Sequence, residues 1–125
     1  MIGPKIVVID DTTEILDLIE VVLTGEGYRV VLCQDAADAL DTVAAERPSL
    51  IIADLRMAGV DRWELVDGLI ADPRTGRTPI IVCSGAVAEL TAAEGRLRAQ
   101  GGDVLVKPFD IDALVSKVRV LIDAA

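Results

Sequence analysis

Five short apolar runs, each continuous instead of alternating with polar residues, constrain the fold of this chain more than any other feature. They are Lys5–Ile9, Arg29–Cys33, Leu50–Ala53, Ile80–Cys83 and Val104–Val106. Continuous runs of this length are typical of strands that are buried on both faces of a parallel sheet. We therefore expect five parallel strands, each covered from both sides.

Apolar residues at helical spacing follow each of these runs. The stripes comprise Ile15, Leu18, Ile19, Val22 and Leu23; Ala36, Leu40 and Val43; Val66, Leu69 and Ile70; Leu90, Ala93 and Leu97; and Ile111, Leu114, Val115, Val118 and Ile122. Strands that alternate with helices in this way predict an α/β domain on the (βα)5 plan, with a doubly wound five-stranded parallel sheet. The 125 residues suffice for one such domain, so residues 1–125 are predicted to form a single domain.

The composition excludes several classes of function. Lys and Arg number 12 against 21 Asp and Glu, and the resulting net charge of −9 would repel phosphate backbones and anionic lipid. No apolar run approaches the roughly 20 residues needed to span a bilayer. The absence of histidine removes Ser-His-Asp and Cys-His catalysis. We expect a cytoplasmic protein that neither binds nucleic acid directly nor inserts into a membrane.

Polar residues follow the predicted strands at the end where ligands bind in sheets of this kind. Asp10 and Asp11 follow the first run, Asp54 the third, Ser84 the fourth and Lys107 the fifth. The carboxyl ends of parallel strands share one edge of the sheet, and open α/β sheets bind their ligands there. We therefore expect three carboxylates, a hydroxyl and an ammonium in one pocket.

The chemistry of such a pocket is specific. Adjacent carboxylates repel one another unless a cation neutralises them. Oxygen ligands suit Mg2+, which binds one or two protein carboxylates and keeps waters or phosphate oxygens in its other positions. Asp54 could then act as a nucleophile and form an acyl phosphate, while Lys107 and the metal balance charge on the phosphoryl oxygens.

Each of these residues also has a purely structural interpretation. Asp10 and Asp11 could cap the following helix, and Asp54 could form a turn. Ser84 could be an ordinary loop hydroxyl, and Lys107 could be a solvated surface charge. Structural roles alone give no reason for acids to follow strands one and three, a hydroxyl strand four and a lysine strand five. The joint placement therefore favours a functional site.

Several segments of the chain resemble those of a known family. KIVVIDD, LIIADLRMAGVDRWEL, TPIIVCSG and VLVKPF are similar, in order and spacing, to segments of the receiver domain of bacterial two-component response regulators, of the chemotaxis-regulator type. The resemblance covers essentially the whole chain. It implies the flavodoxin-like receiver fold with strand order 2-1-3-4-5.

The same resemblance implies a metal site and a phosphoacceptor. Asp10 and Asp11 would hold Mg2+, with Asp11 as a direct ligand. The carboxylate of Asp54 and the backbone carbonyl of Arg56 would complete the protein's share of that site. Asp54 would also be the phosphoacceptor.

The resemblance further implies how the phosphoryl group is sensed. The hydroxyl of Ser84 would turn toward the phosphoryl group, and the ammonium of Lys107 would pair with it. A cis peptide bond would join Lys107 to Pro108, which is plausible only before proline.

The function implied is that of a phosphoacceptor switch in a phosphorelay. A partner histidine kinase or phosphotransfer protein would phosphorylate Asp54 in a Mg2+-dependent reaction. The fourth helix, fifth strand and fifth helix would then bind a downstream protein target. Such a protein is not an enzyme in the usual sense, because it catalyses its own phosphorylation and at most a slow dephosphorylation. Dimerisation through the fourth and fifth helices is common among relatives, so the resemblance also implies a weak homodimer.

Four positions bear on how far the family pattern applies. Ala58 and Arg62 stand where the family often has proline and glycine. Val104 stands where an aromatic side chain usually turns inward on activation, and a valine with its restricted χ1 cannot make that rotation. Arg56 places a long cation beside the site, where it could slow or redirect attack of water on the acyl phosphate, or simply point into solvent.

Two alternatives belong to other functional classes. The first is a constitutive interaction module, in which the phosphorylation site is intact but Val104 leaves it uncoupled. The second is a small phosphohydrolase with Asp54 as its nucleophile. Such enzymes generally need an aspartate two residues later as general acid, and Arg56 occupies that position, which counts against turnover.

The organisation beyond this domain is also an expectation. The sequence stops after the fifth helix, so no output domain is expected within it. It is either a stand-alone receiver or a piece of a longer chain, and the short distance from Met1 to the first strand favours the former.

Overall fold

A computed structural model describes residues 3–57, 59, 61 and 63–124 of the chain. Strands and helices alternate in the order β1 (Lys5–Ile9), α1 (Thr13–Gly25), β2 (Arg29–Cys33), α2 (Ala36–Glu46), β3 (Leu50–Asp54), α3 (Glu64–Ala71), β4 (Ile80–Ser84), α4 (Val87–Ala99), β5 (Asp103–Val106) and α5 (Ile111–Ala124). All paired strands are parallel, and their order is β2-β1-β3-β4-β5. The predicted (βα)5 architecture and the strand order implied by the resemblance are both confirmed.

The strands separate two hydrophobic clusters, one on each face of the sheet. Val7 and Ile9 of β1 belong to the cluster that buries residues of α2, α3 and α4. Ile6 and Val8 belong to the cluster that buries residues of α1 and α5. Successive side chains of a strand point to opposite faces, so a continuous apolar run serves both clusters at once. This burial fixes the register of the strands and aligns their carboxyl ends.

Helices α1 and α5 wholly or partly bury most of the predicted stripe residues but leave one of each exposed. The buried apolar residues of these helices are Leu16, Ile19, Leu23, Leu114 and Val118. Leu18 of α1, which was predicted to be buried, is 41% exposed, and Ile111 of α5 is 46% exposed. The apolar surface of these helices is wider than the part that the sheet covers. Helical periodicity alone could not show this, because it identifies the apolar stripe of a helix but not how much of that stripe the sheet contacts.

Other expectations concern single residues. Cys33 and Cys83 are buried and free, and they lie on β2 and β4, which are not neighbours in the sheet. Ala58 and Arg62, the two loop departures, lie outside the described residues. None of the helices in the described part of the chain is long and apolar enough to cross a membrane.

Asp103 at the start of β5 joins the sheet to α4 and α5. Its Oδ1 atom accepts hydrogen bonds from the Nε of Arg98, at 3.1 Å, and from the backbone N–H of Val104, at 2.8 Å. Its Oδ2 atom lies 3.0 Å from the Nζ of Lys117. Burial by itself raises the pKa of Asp103, but these donors together outweigh it and hold the pKa below its usual value. The far end of α4 is therefore anchored to the sheet.

Asp103→Asn is expected to lower the free energy of unfolding by about 1 kcal/mol at neutral pH, because it weakens charge-assisted hydrogen bonds at a partly exposed site. A depressed pKa in the folded state stabilises the fold above the unfolded-state pKa, and this stabilisation is lost as pH falls through the folded-state value. The deficit of the variant should therefore shrink in acid. Urea unfolding at neutral and acidic pH measures it, with Asp123→Asn, at an exposed position of α5, as the control. A deficit that is independent of pH would contradict the prediction.

Candidate functional site

The predicted site residues meet at the carboxyl edge of the sheet. Asp10 and Asp11 directly follow β1, Asp54 and Ser84 are the last residues of β3 and β4, and Lys107 directly follows β5. Asp54 and Ser84 therefore belong to the strands, whereas the sequence placed each one residue beyond its strand. Pairing of β3 with β4 extends to Asp54, and pairing of β4 with β5 extends to Ser84.

Three acidic side chains form a cluster at this edge. One carboxylate oxygen each of Asp10, Asp11 and Asp54 lies within 4.8 Å of the others. Asp10 and Asp54 are buried, whereas Asp11 is exposed. A set of hard oxygen donors with one accessible member suits a small divalent cation that keeps waters or phosphate oxygens as its remaining ligands. The donor set therefore fits Mg2+.

The N-cap residue of α1 is Thr12, and the two carboxylate oxygens of Asp10 have different partners. Its Oδ1 atom accepts a hydrogen bond from the backbone N–H of Thr12, at 2.9 Å, just before α1. Its Oδ2 atom lies 3.0 Å from the Nζ of Lys107. One oxygen thus organises the turn into the helix while the other faces the site.

Lys107 stands between two buried carboxylates. Its Nζ atom is 3.0 Å from Asp10 and 3.3 Å from the Oδ2 of Asp54. Burial disfavours the charged ammonium, but the two carboxylates outweigh this effect, and the pKa of Lys107 is raised. Lys107 is therefore a cation of the site and not a solvated surface charge.

The surroundings of Asp54 disfavour its ionised carboxylate, and a nearby cation would offset this effect. Burial raises its pKa most, and the negative charge of Asp10 raises it further. Lys107 and the backbone N–H of Arg56, which lies 3.3 Å from Oδ1, lower the pKa without reversing the shift. The contact with Arg56 is the turn that the structural interpretation predicted. The ionised carboxylate is thus under-neutralised, and added positive charge would stabilise it.

A cavity of about 420 Å3 opens in front of Asp54. It is lined by Asp54, Arg56, Ser84, Gly85, Ala86 and Lys107. Ser84 is buried, and its Oγ atom accepts a hydrogen bond from the backbone N–H of Ala86, at 3.0 Å. The cavity therefore brings a carboxylate, a hydroxyl and two cationic residues together, and Gly85 and Ala86 form a wall of small residues.

Sequence reasoning missed that wall and the contact of Ser84 with Ala86. The signal for the wall was present, because Ser-Gly-Ala follows the fourth apolar run directly. Ala86 is the N-cap residue of α4, and its side chain cannot supply a capping hydrogen bond. The hydroxyl of Ser84 therefore engages a backbone donor at the start of that helix.

Two expectations taken from the resemblance concern the loop after β5 and its neighbourhood. The peptide bond between Lys107 and Pro108 is cis, as expected. Val104 is only 8% exposed and belongs to the same buried cluster as Leu90, Ala93 and Leu97 of α4. Valine at this position is therefore part of the contact between sheet and helix.

Comparison with known proteins gives consistent matches. The family description "Response regulator receiver domain" matches residues 6–119. The response regulator PleD of Caulobacter vibrioides is 32% identical over 123 residues, covering 94% of this chain and 26% of that protein. The transcriptional regulator RpaA of Synechocystis is 29% identical over 119 residues, covering 95% of this chain and 49% of that protein. The chain thus spans half or less of the length of these relatives.

Solved structures agree with the fold. The chemotaxis response regulator CheY4 of Vibrio cholerae superposes with a TM-score of 0.82 at 25% identity, covering 95% of this chain and 98% of that one. The receiver domain of the Francisella response regulator 1452 gives a TM-score of 0.82 at 27% identity, covering 98% of each chain. With the family match over most of its length, the chain belongs to the response regulator receiver domains of two-component signalling systems.

Proposed function

We propose that this protein is a Mg2+-dependent phosphoacceptor whose acceptor is Asp54. The observation that supports this best is the meeting of Asp10, Asp11 and Asp54 with the ammonium of Lys107 at one edge of the sheet. Receiver domains are generally signalling modules, generally use Mg2+, and interact with histidine kinases or phosphotransfer proteins. The proposal assigns that chemistry to particular residues of this chain.

In the proposed reaction, a carboxylate oxygen of Asp54 attacks the phosphorus of a phosphohistidine on the partner. A bond forms between that oxygen and phosphorus, the bond from phosphorus to the imidazole nitrogen breaks, and its electron pair stays on the imidazole. Asp10, Asp11, Asp54 and the backbone carbonyl of Arg56 would hold Mg2+, which would supply positive charge near the phosphoryl oxygens. Lys107, already 3.3 Å from Asp54, supplies a second positive charge to the same oxygens.

We propose that Ser84 couples phosphorylation to α4. Its hydroxyl accepts the N–H of Ala86 and would be drawn toward the new phosphoryl oxygens, which are strong acceptors. In the phosphorylated state the hydroxyl would donate to a phosphoryl oxygen and release the start of α4. The opposite end of α4 is tied to β5 through Arg98 and Asp103, so the displacement would be greatest at the end nearest the site.

This route requires no aromatic rotation. Val104 is buried against α4, so a change at the start of that helix reaches β5 by direct packing. The surface formed by α4, β5 and α5 is therefore the proposed binding site for a downstream protein. A constitutive interaction module would instead have the same affinity for its target with and without the phosphoryl group. We also propose that the protein acts in the cytoplasm, where phosphorelay partners of this class are found.

The test is intact-mass analysis after incubation with acetyl phosphate, with Mg2+ or with a chelator. We expect a gain of one phosphoryl group that requires Mg2+. Backbone amide shifts of Ala86 and Val87, recorded by NMR before and after phosphorylation, report the coupling to α4. No gain of mass in any condition would reject the phosphoacceptor, and a gain of mass without any change at α4 would favour the uncoupled module.

A further inference from the structure

Three exposed arginines stand at the amino edge of the sheet, the edge opposite the candidate functional site. Arg29 is the first residue of β2, and Arg47 and Arg77 each stand three residues before their strands, β3 and β4. In the sheet order β2-β1-β3-β4, the outer two of these strand ends are about 14 Å apart, because neighbouring strands are about 4.8 Å apart. We call Arg29, Arg47 and Arg77 the amino-edge arginines.

The acids near this edge are already paired with other cations. Glu46 at the end of α2 lies 2.9 Å from the Nζ of Lys5, and Asp72 after α3 lies 2.9 Å from the Nη2 of Arg74. Asp103 at the start of β5 is held by the donors described above. In the part of the chain that the structure describes, no ion pair joins an amino-edge arginine to a carboxylate. A chain with a net charge of −9 therefore keeps a local excess of positive charge at this edge.

Arg47 has a backbone conformation that arginine rarely adopts. Its φ and ψ angles are 49° and 58°, in the left-handed region, and it is the only residue other than glycine with a positive φ among those described. The Cβ atom makes this region unfavourable for every residue but glycine, and helices commonly end with a glycine there. An arginine at a position that suits glycine indicates a function for its side chain.

The other two amino-edge arginines stand on backbone that is held in place. The Nε of Arg29 donates a hydrogen bond to the carbonyl oxygen of Gly3, at 2.8 Å, which orients the guanidinium group. Arg77 follows Gly76, whose N–H donates to the carbonyl oxygen of Asp72, at 2.7 Å, in a tight turn. Groups that are already ordered lose less conformational entropy when they bind a ligand.

We propose that the amino-edge arginines bind an extended acidic segment of a partner protein. In an extended chain, alternate side chains point to the same side and are about 6.6 Å apart, so three acids at alternate positions span about 13 Å. That length matches the separation of the outer strand ends. The planar guanidinium group can also bind a carboxylate through two parallel hydrogen bonds.

The charge of the whole molecule favours a short acidic segment over a nucleic acid. A net charge of −9 repels a long polyanion, which extends well beyond the arginines. A short segment interacts mainly with charges within the Debye length, which is about 8 Å at physiological ionic strength. The local excess of positive charge then decides the interaction.

The probe is a labelled peptide of about nine residues that alternates glutamate with threonine, long enough to cross the four strand ends. It is titrated into the full chain, and its counterpart with glutamine in place of glutamate controls for charge. The test variants are Arg47→Gly, Arg77→Gln and the double variant. The matched control for loss of one positive charge is Arg56→Gln, at the opposite edge of the sheet.

We expect the acidic peptide to bind with an affinity that falls at high salt. Each test variant should bind it about threefold more weakly than wild type, and the double variant about tenfold more weakly. Arg47→Gly should at the same time unfold at a higher urea concentration than wild type, because glycine suits the left-handed conformation. Binding and stability thus change in opposite directions, which a merely structural role of Arg47 would not produce.

Several outcomes would overturn the proposal. These are no binding, equal binding of the glutamine peptide, equal weakening in Arg56→Gln, or loss of both binding and stability in Arg47→Gly. Tighter binding of a single-stranded oligonucleotide of equal charge would also overturn it, because the occupant would then be a nucleic acid. An oligomer seen by sedimentation and lost in Arg47→Gly would identify a second copy as the occupant instead.

The same variants separate this inference from the phosphoacceptor. Arg47→Gly and Arg77→Gln are expected to gain a phosphoryl group from acetyl phosphate as wild type does, because neither residue lines the cavity at Asp54. Failure of wild type to gain the group would reject the proposed function and leave the peptide result standing. Failure of the peptide to bind would reject only the role of the amino-edge arginines.

Discussion

Asp54→Asn is expected to abolish incorporation of the phosphoryl group from acetyl phosphate in the presence of Mg2+. The amide nitrogen and oxygen cannot replace the carboxylate as a nucleophile for phosphorus, so the effect should be complete and not graded. Intact-mass analysis gives the result directly, as one added phosphoryl group in wild type and none in the variant. A variant that still gained the group would place the acceptor elsewhere.

Unfolding of the variant would also prevent phosphorylation, and two measurements test for that explanation. Burial and the charge of Asp10 raise the pKa of Asp54, so its ionised form costs stability in the folded state at any pH above that value. Replacing the carboxylate by an amide removes this cost, and the variant should unfold in urea at a concentration no lower than wild type. Asp61→Asn, at an exposed acid in the segment between β3 and α3, should keep both stability and phosphorylation.

The fold could be predicted because a continuous apolar run in the sequence indicates a strand that is buried on both faces of a parallel sheet. Each strand must bury both faces, so a run such as Leu50–Ala53 has no stable place other than the middle of a covered sheet. The strand order has no such local signal. It entered only through the resemblance to receiver domains, and the structure confirms it.

The residues that come together at the candidate site could be predicted for a similar reason. The ends of parallel strands converge, so Asp10, Asp54, Ser84 and Lys107 become neighbours although up to 97 positions separate two of them. The partners of individual atoms could not be predicted in this way. Whether Asp10 caps a turn or faces a cation depends on the rotamer of one side chain, and the structure assigns one oxygen to each role.

The exposure of Leu18 shows what helical spacing cannot predict about burial. Helical spacing identifies which residues share a stripe, but the width of the buried contact depends on how α1 lies against α5 and the sheet. Leu18 falls outside that contact and Leu16, which the stripe omitted, falls inside it.

Lys107→Met is expected to slow phosphoryl incorporation by about 10²- to 10³-fold at neutral pH, the typical effect of removing one group that stabilises charge in a transition state. Methionine fills a similar volume, so the cavity keeps its shape while Asp10 and Asp54 lose the cation 3.0 and 3.3 Å from their oxygens. Initial rates of mass gain with acetyl phosphate, at saturating Mg2+, measure the loss. An unchanged rate would mean that Lys107 only balances charge in the resting site.

The pH dependence of that variant gives a sharper test. Lys107 lowers the pKa of Asp54, so its removal should raise that pKa further and leave less of the nucleophilic carboxylate at a given pH. As the pH is lowered, the rate of Lys107→Met should therefore begin to fall at a higher pH than the rate of wild type does. Lys107→Arg keeps the charge but replaces a compact ammonium by a planar guanidinium, so its rate should fall without the added pH dependence. The two substitutions thus separate the electrostatic role of Lys107 at Asp54 from its geometric fit to the phosphoryl oxygens.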